Sequence, residues 1–172
     1  GSLDNSGTTI TNNGTLTHNN NADIQGNVIA GGTGNVTFNG TSTGGIALLR
    51  IGTVADSTIP SINLNLKVAD LRDNDGVANC TVGTLTLGTN GSVTNAIDNI
   101  TNVTFNNIDL SAVTAVQTLA LGTYAKPVSV TGPPNNTLIL TTDVAAGNIA
   151  TITVKGGQVN VTGVNAEETI NV

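Results

Sequence analysis

Apolar and polar residues alternate along most of this chain. Val36-Thr37-Phe38, Leu64-Asn65-Leu66, Leu85-Thr86-Leu87 and Val103-Thr104-Phe105 each set two apolar residues around a polar one. Related triplets follow at Leu119-Ala120-Leu121, Val128-Ser129-Val130, Leu138-Ile139-Leu140, Ile152-Thr153-Val154 and Val159-Asn160-Val161. Alternation sends the apolar members to one face of a strand and the polar member to the other. Val, Ile and Thr suit that setting because branching at Cβ packs well on a pleated surface. Ser111 to Ala120 also fits one short helix capped by Ser111, with Val113, Val116 and Ala120 on a face; strand is the preferred reading there.

Turn signals separate the strands. Asn13-Gly14, Gly31-Gly32, Asn39-Gly40, Gly44-Gly45, Asn90-Gly91 and Gly156-Gly157 all suit positive φ, which glycine and asparagine tolerate. Spacing then narrows the architecture. Leu85 to Val103 is 18 residues, Val103 to Leu119 is 16, Leu119 to Leu138 is 19 and Leu138 to Val159 is 21. The phrase Asn35-Val36-Thr37-Phe38-Asn39 returns almost literally as Asn102-Val103-Thr104-Phe105-Asn106. A period near twenty without long loops predicts an all-β fold, a right-handed parallel β-helix (β-solenoid). At ~20 residues and ~4.8 Å per coil the chain makes about eight coils and a rod of about 40 Å. A β-sandwich is the alternative, disfavoured because such cores carry more aromatic residues than this chain offers.

Composition agrees with that architecture. The 172 residues include 25 Asn, 29 Thr and 21 Gly, with 9% charged and 2% aromatic. Asn and Thr stacked at equivalent positions of successive coils bond or pack along the ladder, while Val, Ile and Leu fill a narrow interior. A net charge of −6 opposes nucleic-acid binding. No apolar run approaches the ~20 residues of a membrane-spanning helix. The 38% apolar content is too high for a disordered tail. Gly1 and Ser2 read as a cloning remnant, which leaves 3–172 as a single solenoid domain cut from something larger.

Material for catalysis is scarce. Gly31-Gly32-Thr33-Gly34-Asn35-Val36 resembles a calcium-binding nonapeptide, but Val36 stands where the pattern needs Asp. His18 is the sole histidine and no nucleophile motif accompanies it, so a surface strand position is expected. Cys80 is the sole cysteine and reads as a small buried apolar residue. Scattered aspartates and few aromatics argue against polysaccharide cleavage. Thr-x-Thr pairs begin at 9, 15, 41, 84 and 151, too irregular for an ice-binding array. Asn-x-Ser/Thr sequons such as Asn13 and Asn99 follow from the composition. The densest charged stretch is Asp70-Leu71-Arg72-Asp73-Asn74-Asp75-Gly76, an incomplete EF-hand-like run whose plain reading is a solvated turn. Asp70, Arg72, Asp73, Asn74 and Asp75 are the candidate exposed interaction loop. No catalytic residue, metal ligand or cofactor is expected.

Three phrases carry a family likeness: Thr9-Ile10-Thr11-Asn12-Asn13-Gly14-Thr15-Leu16-Thr17, Gly34-Asn35-Val36-Thr37-Phe38-Asn39-Gly40 and Gly44-Gly45-Ile46-Ala47-Leu48-Leu49. With Asn107-Ile108-Asp109-Leu110-Ser111-Ala112 and Ala115-Val116-Gln117-Thr118-Leu119 they resemble autotransporter passenger domains, in particular rickettsial surface cell antigens of the outer-membrane protein A and B type. The resemblance covers most of the chain, rests on repetitive idiom and brings no catalytic signature. It implies a β-helical stalk on the bacterial cell surface, exported through a downstream outer-membrane barrel. It also implies adhesion to and invasion of host cells, a host cell-surface protein as partner, and a role as antigen. Lys67, Lys126 and Lys155 are the lysines open to the methylation known in that family. The alternatives are a glycan-binding or polysaccharide-processing β-helix and a structural spacer. The fragment itself spans no membrane, and uncapped coil edges offer a route to self-association.

Overall fold

A computed structural model describes residues 9–12, 14–19, 24–40, 45–52, 57–73, 77, 79–93, 97, 100–114, 117–135, 137–142, 150–162 and 168–171. Strands are numbered in chain order. The first nine are β1 (Thr9–Asn12), β2 (Thr15–Asn19), β3 (Ile24–Gly32), β4 (Asn35–Asn39), β5 (Gly45–Ile51), β6 (Ser57–Asn65), β7 (Lys67–Val68), β8 (Leu71–Asp73) and β9 (Cys80–Leu87). The rest are β10 (Ser92–Val93), β11 (Val103–Asp109), β12 (Gln117–Gly122), β13 (Val128–Thr131), β14 (Thr137–Thr142), β15 (Ala150–Gly156), β16 (Gln158–Thr162) and β17 (Glu168–Asn171).

Each pairing among the described strands is parallel, and partners are never consecutive in the chain. The chain is therefore a β-solenoid and not a sandwich. The longest sheet stacks eight strands in the order β17-β15-β13-β11-β9-β6-β4-β2. A second sheet runs β1-β3-β5-β7-β10 with β8 beside β5, and a third runs β12-β14-β16. Eight rungs at ~4.8 Å make the long sheet about 34 Å from end to end.

Register gives the coil length. Thr15 lies opposite Asn35, Val36 opposite Ile62, Ile62 opposite Leu85 and Leu85 opposite Ile108. Ile108 then lies opposite Val130, Val130 opposite Val154 and Ile152 opposite Ile170. Successive coils thus take 20, 26, 23, 23, 22, 24 and 18 residues. The spacing of Leu138 to Val159 expected from sequence is a true coil step. That of Leu85 to Val103 is not, since Val103 stacks on Cys80. The repeated Asn-Val-Thr-Phe-Asn phrase also occupies two different columns: Val36 stacks on Ile62, and Val103 on Cys80. The two columns lie five residues apart, and Val103 stays inward in either because two successive residues face outward between them, so polarity alone cannot select the register.

The interior is a continuous aliphatic stack. Val36, Ile62, Leu85, Ile108 and Val130 form one column, all buried. The few aromatic residues do not avoid this narrow space: Phe38, Phe105 and Tyr124 are each no more than 1% exposed. Cys80 is buried as expected. Of the Ser111 to Ala120 segment open to a helical reading, residues 117–120 belong to strand β12 and 111–114 form a turn outside any strand.

Three strands of the long sheet share a corner. In β6, Ile59 and Ile62 point inward with Pro60 and Ser61 both outward; β9 repeats this with Val82, Gly83, Thr84 and Leu85, and β11 with Phe105, Asn106, Asn107 and Ile108. Gly83 is required there, because a Cβ would sit 2.5 Å from the Pro60 carbonyl oxygen. Proline suits the same corner because it has no N–H to leave unpaired.

Candidate functional site

The acidic stretch is divided between two roles. β8 lies beside β5, setting Arg72 opposite Arg50, and buried Leu71 anchors it. Arg72 is ion-paired with Asp70 at 2.5 Å, which offsets part of the arginine stacking, and its side chain stays 47% exposed. The Asp70 backbone carbonyl accepts a bond from Leu49 N–H at 2.9 Å. Asp73 turns toward the protein: Oδ2 accepts from Thr101 N–H at 2.7 Å, Asn102 N–H at 2.6 Å and the Thr101 hydroxyl at 3.1 Å. Those two amides open the approach to β11, so Asp73 pins one coil to the next. Asn74 and Asp75 lie outside the described residues. Among the described residues of the stretch, Arg72 is thus the most exposed charge and Asp73 a structural staple.

Behind Asp73 sits a buried polar group that sequence reading missed. The Tyr124 hydroxyl accepts a hydrogen bond from Phe105 N–H at 2.9 Å, and the two rings lie 5.8 Å apart and tilted by 49°. Burial pushes the Tyr124 phenol up to about 12; the Phe105 amide works against that shift and the charge of Asp73 adds to it. Burial likewise raises the Cys80 thiol, the Ser57 hydroxyl opposes the rise, and Asp73 again adds to it. A thiol held protonated and out of solvent is a poor nucleophile or metal ligand. The signal available in sequence was the lone tyrosine in a chain of aliphatics: a phenol placed in such a core must find a partner for its oxygen.

The remaining motifs fall as follows. Val36 of the calcium-like phrase is buried at 1%, in a strand that follows a glycine turn. His18 lies in β2, in register with Phe38. Among the described residues no group of three or more His, Cys, Asp and Glu is placed to hold a metal ion. No helix among them is long and apolar enough to cross a membrane.

The largest repeating feature is the outer face of the long sheet. One column reads Thr15, Asn35, Ser61, Thr84, Asn107, Ser129, Thr153 and Asn171, from one end of the sheet to the other. Its neighbour reads Thr17, Thr37, Asn63, Thr86, Asp109 and Thr131. Of the Thr-x-Thr pairs, Thr15–Thr17 and Thr84–Thr86 occupy the same two columns. Thr151–Thr153 is shifted by two residues so that Thr153 joins Thr15 and Thr84, and Thr9–Thr11 lies in the second sheet. Coil lengths vary and the rise between strands does not, which is why counting residues hid the array. Ser61 Oγ donates to Asn35 Oδ1 and Asn63 Nδ2 to Thr37 Oγ1, each at 3.0 Å, so neighbouring rungs brace one another. Thr41 to Thr43 lie outside the described residues.

A shallow groove of about 190 Å³ interrupts this face, lined by Asn106, Pro127, Val128, Ser129, Thr151 and Thr153. It opens where the corner ends. In β11 both Asn106 and Asn107 point outward, whereas in β13 Val128 turns in and only Ser129 faces out. Against this geometry, no protein-family model, no curated protein and no solved structure matches the chain.

Proposed function

We propose that this solenoid is a surface-displayed, non-catalytic module: a segment of a bacterial autotransporter-type passenger that serves host-cell adhesion and is seen as an antigen. Export through a downstream outer-membrane barrel and an extracellular location belong to the same reading. The observation that supports it best is the outer face of the long sheet, where one polar column runs from β2 to β17. Rung after rung presents short polar side chains, while Asp73 and Tyr124 are engaged in holding coils together. Such a body offers contact area along its length, as suits strand-face recognition of a large partner. The likeness of its phrases to rickettsial surface antigens points the same way.

The test is adhesion itself. Beads coated with the chain are expected to bind host cells above beads coated with an unrelated β-helix. Equal binding by the two would replace the adhesive reading with that of a spacer, and turnover of any polysaccharide would replace it with an enzyme.

A further inference from the structure

One side of the rod is continuous and the other is not. The long sheet crosses every coil from β2 to β17, whereas on the opposite side the second sheet ends at β10 and the third begins at β12. Among the described residues no strand pairing joins those two sheets. We propose that the rod is jointed here: β1 to β11 form one cooperative unit, β12 to β17 form a second, and either opens while the other stays folded. The Tyr124 hydroxyl is the latch between them.

The long sheet is itself thinnest at this boundary. β11 and β13 are in register only over Asn107–Ser129, Ile108–Val130 and Asp109–Thr131, the shortest ladder in that sheet. On its other side β11 is held to β9 from Val103 on Cys80 to Asp109 on Thr86. The bonds from the Thr101 and Asn102 amides to Asp73 draw the start of β11 the same way. The outward corner that β6, β9 and β11 share stops at β13, where Val128 turns inward, and the groove between Asn106, Pro127 and Val128 opens over that change. Beyond the boundary two ladders again join each coil to the next: β12–β14 with β13–β15, then β14–β16 with β15–β17.

The short ladder is extended by Leu110 N–H, which donates to the Thr131 carbonyl at 2.9 Å. Leu110 and Val113 on one side share a core with Leu119 and Leu121 on the other, but apolar contact has no preferred direction and fixes no register. Tyr124 supplies a directional bond. It follows β12, and its hydroxyl accepts from Phe105 N–H at 2.9 Å, at a position of β11 that has no registered partner in β13. A side-chain oxygen thus stands where a ladder carbonyl is missing. The stability of a solenoid is close to a sum over coils and their nearest-neighbour interfaces, so cooperativity breaks where an interface is weakest.

Native-state hydrogen exchange of the full chain, read residue by residue by NMR, tests the joint. Ile152 in β15 and Ile62 in β6 are both fully buried, and Ile→Val removes one methylene from either unit. Ile152→Val is expected to speed exchange in β12 to β16 by ~2–10-fold while changing β4, β6 and β9 by less than ~1.5-fold. Ile62→Val is expected to do the reverse. Equal acceleration in all strands, or an effect that fades coil by coil with no step between β11 and β12, overturns the joint. Tyr124→Phe is expected to speed exchange of the Phe105 amide by at least ~5-fold, and an unchanged rate at that amide overturns the latch.

Discussion

The chain holds one tyrosine and no tryptophan, so its alkaline ultraviolet titration reports a single side chain. Tyr124 is 1% exposed and its phenol is pushed up to about 12, chiefly by burial. In the unfolded chain the same group ionises near ~10. Below pH ~10 both states hold the proton and the contribution is fully present. Between there and pH ~12 the unfolded chain releases it while the folded one keeps it, so stability falls as pH rises. A separation of about two pK units corresponds to roughly 2–3 kcal/mol lost across that window. Against a total of ~5–15 kcal/mol for a domain, that is a large fraction. Tyrosinate absorbance in the native protein is therefore expected near pH 12, or together with loss of the β circular-dichroism signal. Tyr124→Phe keeps the ring beside Phe105 and removes the oxygen that accepts from its N–H. That variant is expected to be about 1–3 kcal/mol less stable in urea at neutral pH, because a buried amide loses its partner. Its stability should also fall less steeply between pH ~10 and ~12 than that of wild type. The comparison removes the contribution of lysines and Cys80, which titrate in both proteins. Ionisation near pH 10 with the fold intact, or parallel pH slopes for the two proteins, would refute the reasoning.

Asp73→Ala is expected to cost about 1–3 kcal/mol in urea unfolding, since it leaves the Thr101 and Asn102 amides without their acceptor. Arg72→Ala removes only a surface ion pair, and a loss below about 1 kcal/mol is expected; reversal of that order would contradict the division of the acidic stretch into staple and surface charge. Gly157→Ala places a Cβ 2.2 Å from the Gly132 carbonyl oxygen at φ +74. Its melting temperature should drop by the equivalent of at least ~2 kcal/mol, and an unchanged value would show that the turn relaxes freely.

Strand polarity, turn residues and the solenoid itself were legible because each is a local signal repeated many times. Alternation around Val36, Leu85 and Val130 places them inside without any knowledge of neighbours. Register was not legible, because Val103 keeps its inward direction whether it stacks on Leu85 or on Cys80. The shared corner of β6, β9 and β11 decides between them, and it is built by Pro60, Gly83 and Asn106 acting across coils. The charged stretch was legible as a turn but not as a staple, since the amides Asp73 binds lie 28 and 29 residues away. The polar array escaped notice because Asn and Ser substitute for Thr within a column, and columns exist only once the coil lengths are known.

The unequal coils carry a consequence for how such a protein changes over generations. Between 18 and 26 residues complete one turn, yet each turn advances the rod by the same rung. Insertions at corners therefore spend residues sideways and leave reach untouched, while gain or loss of a whole turn moves everything beyond it by a fixed step. Away from the corner that Gly83 fixes, connections between strands can change in length without changing the rise, and the length of the rod is inherited as a whole number.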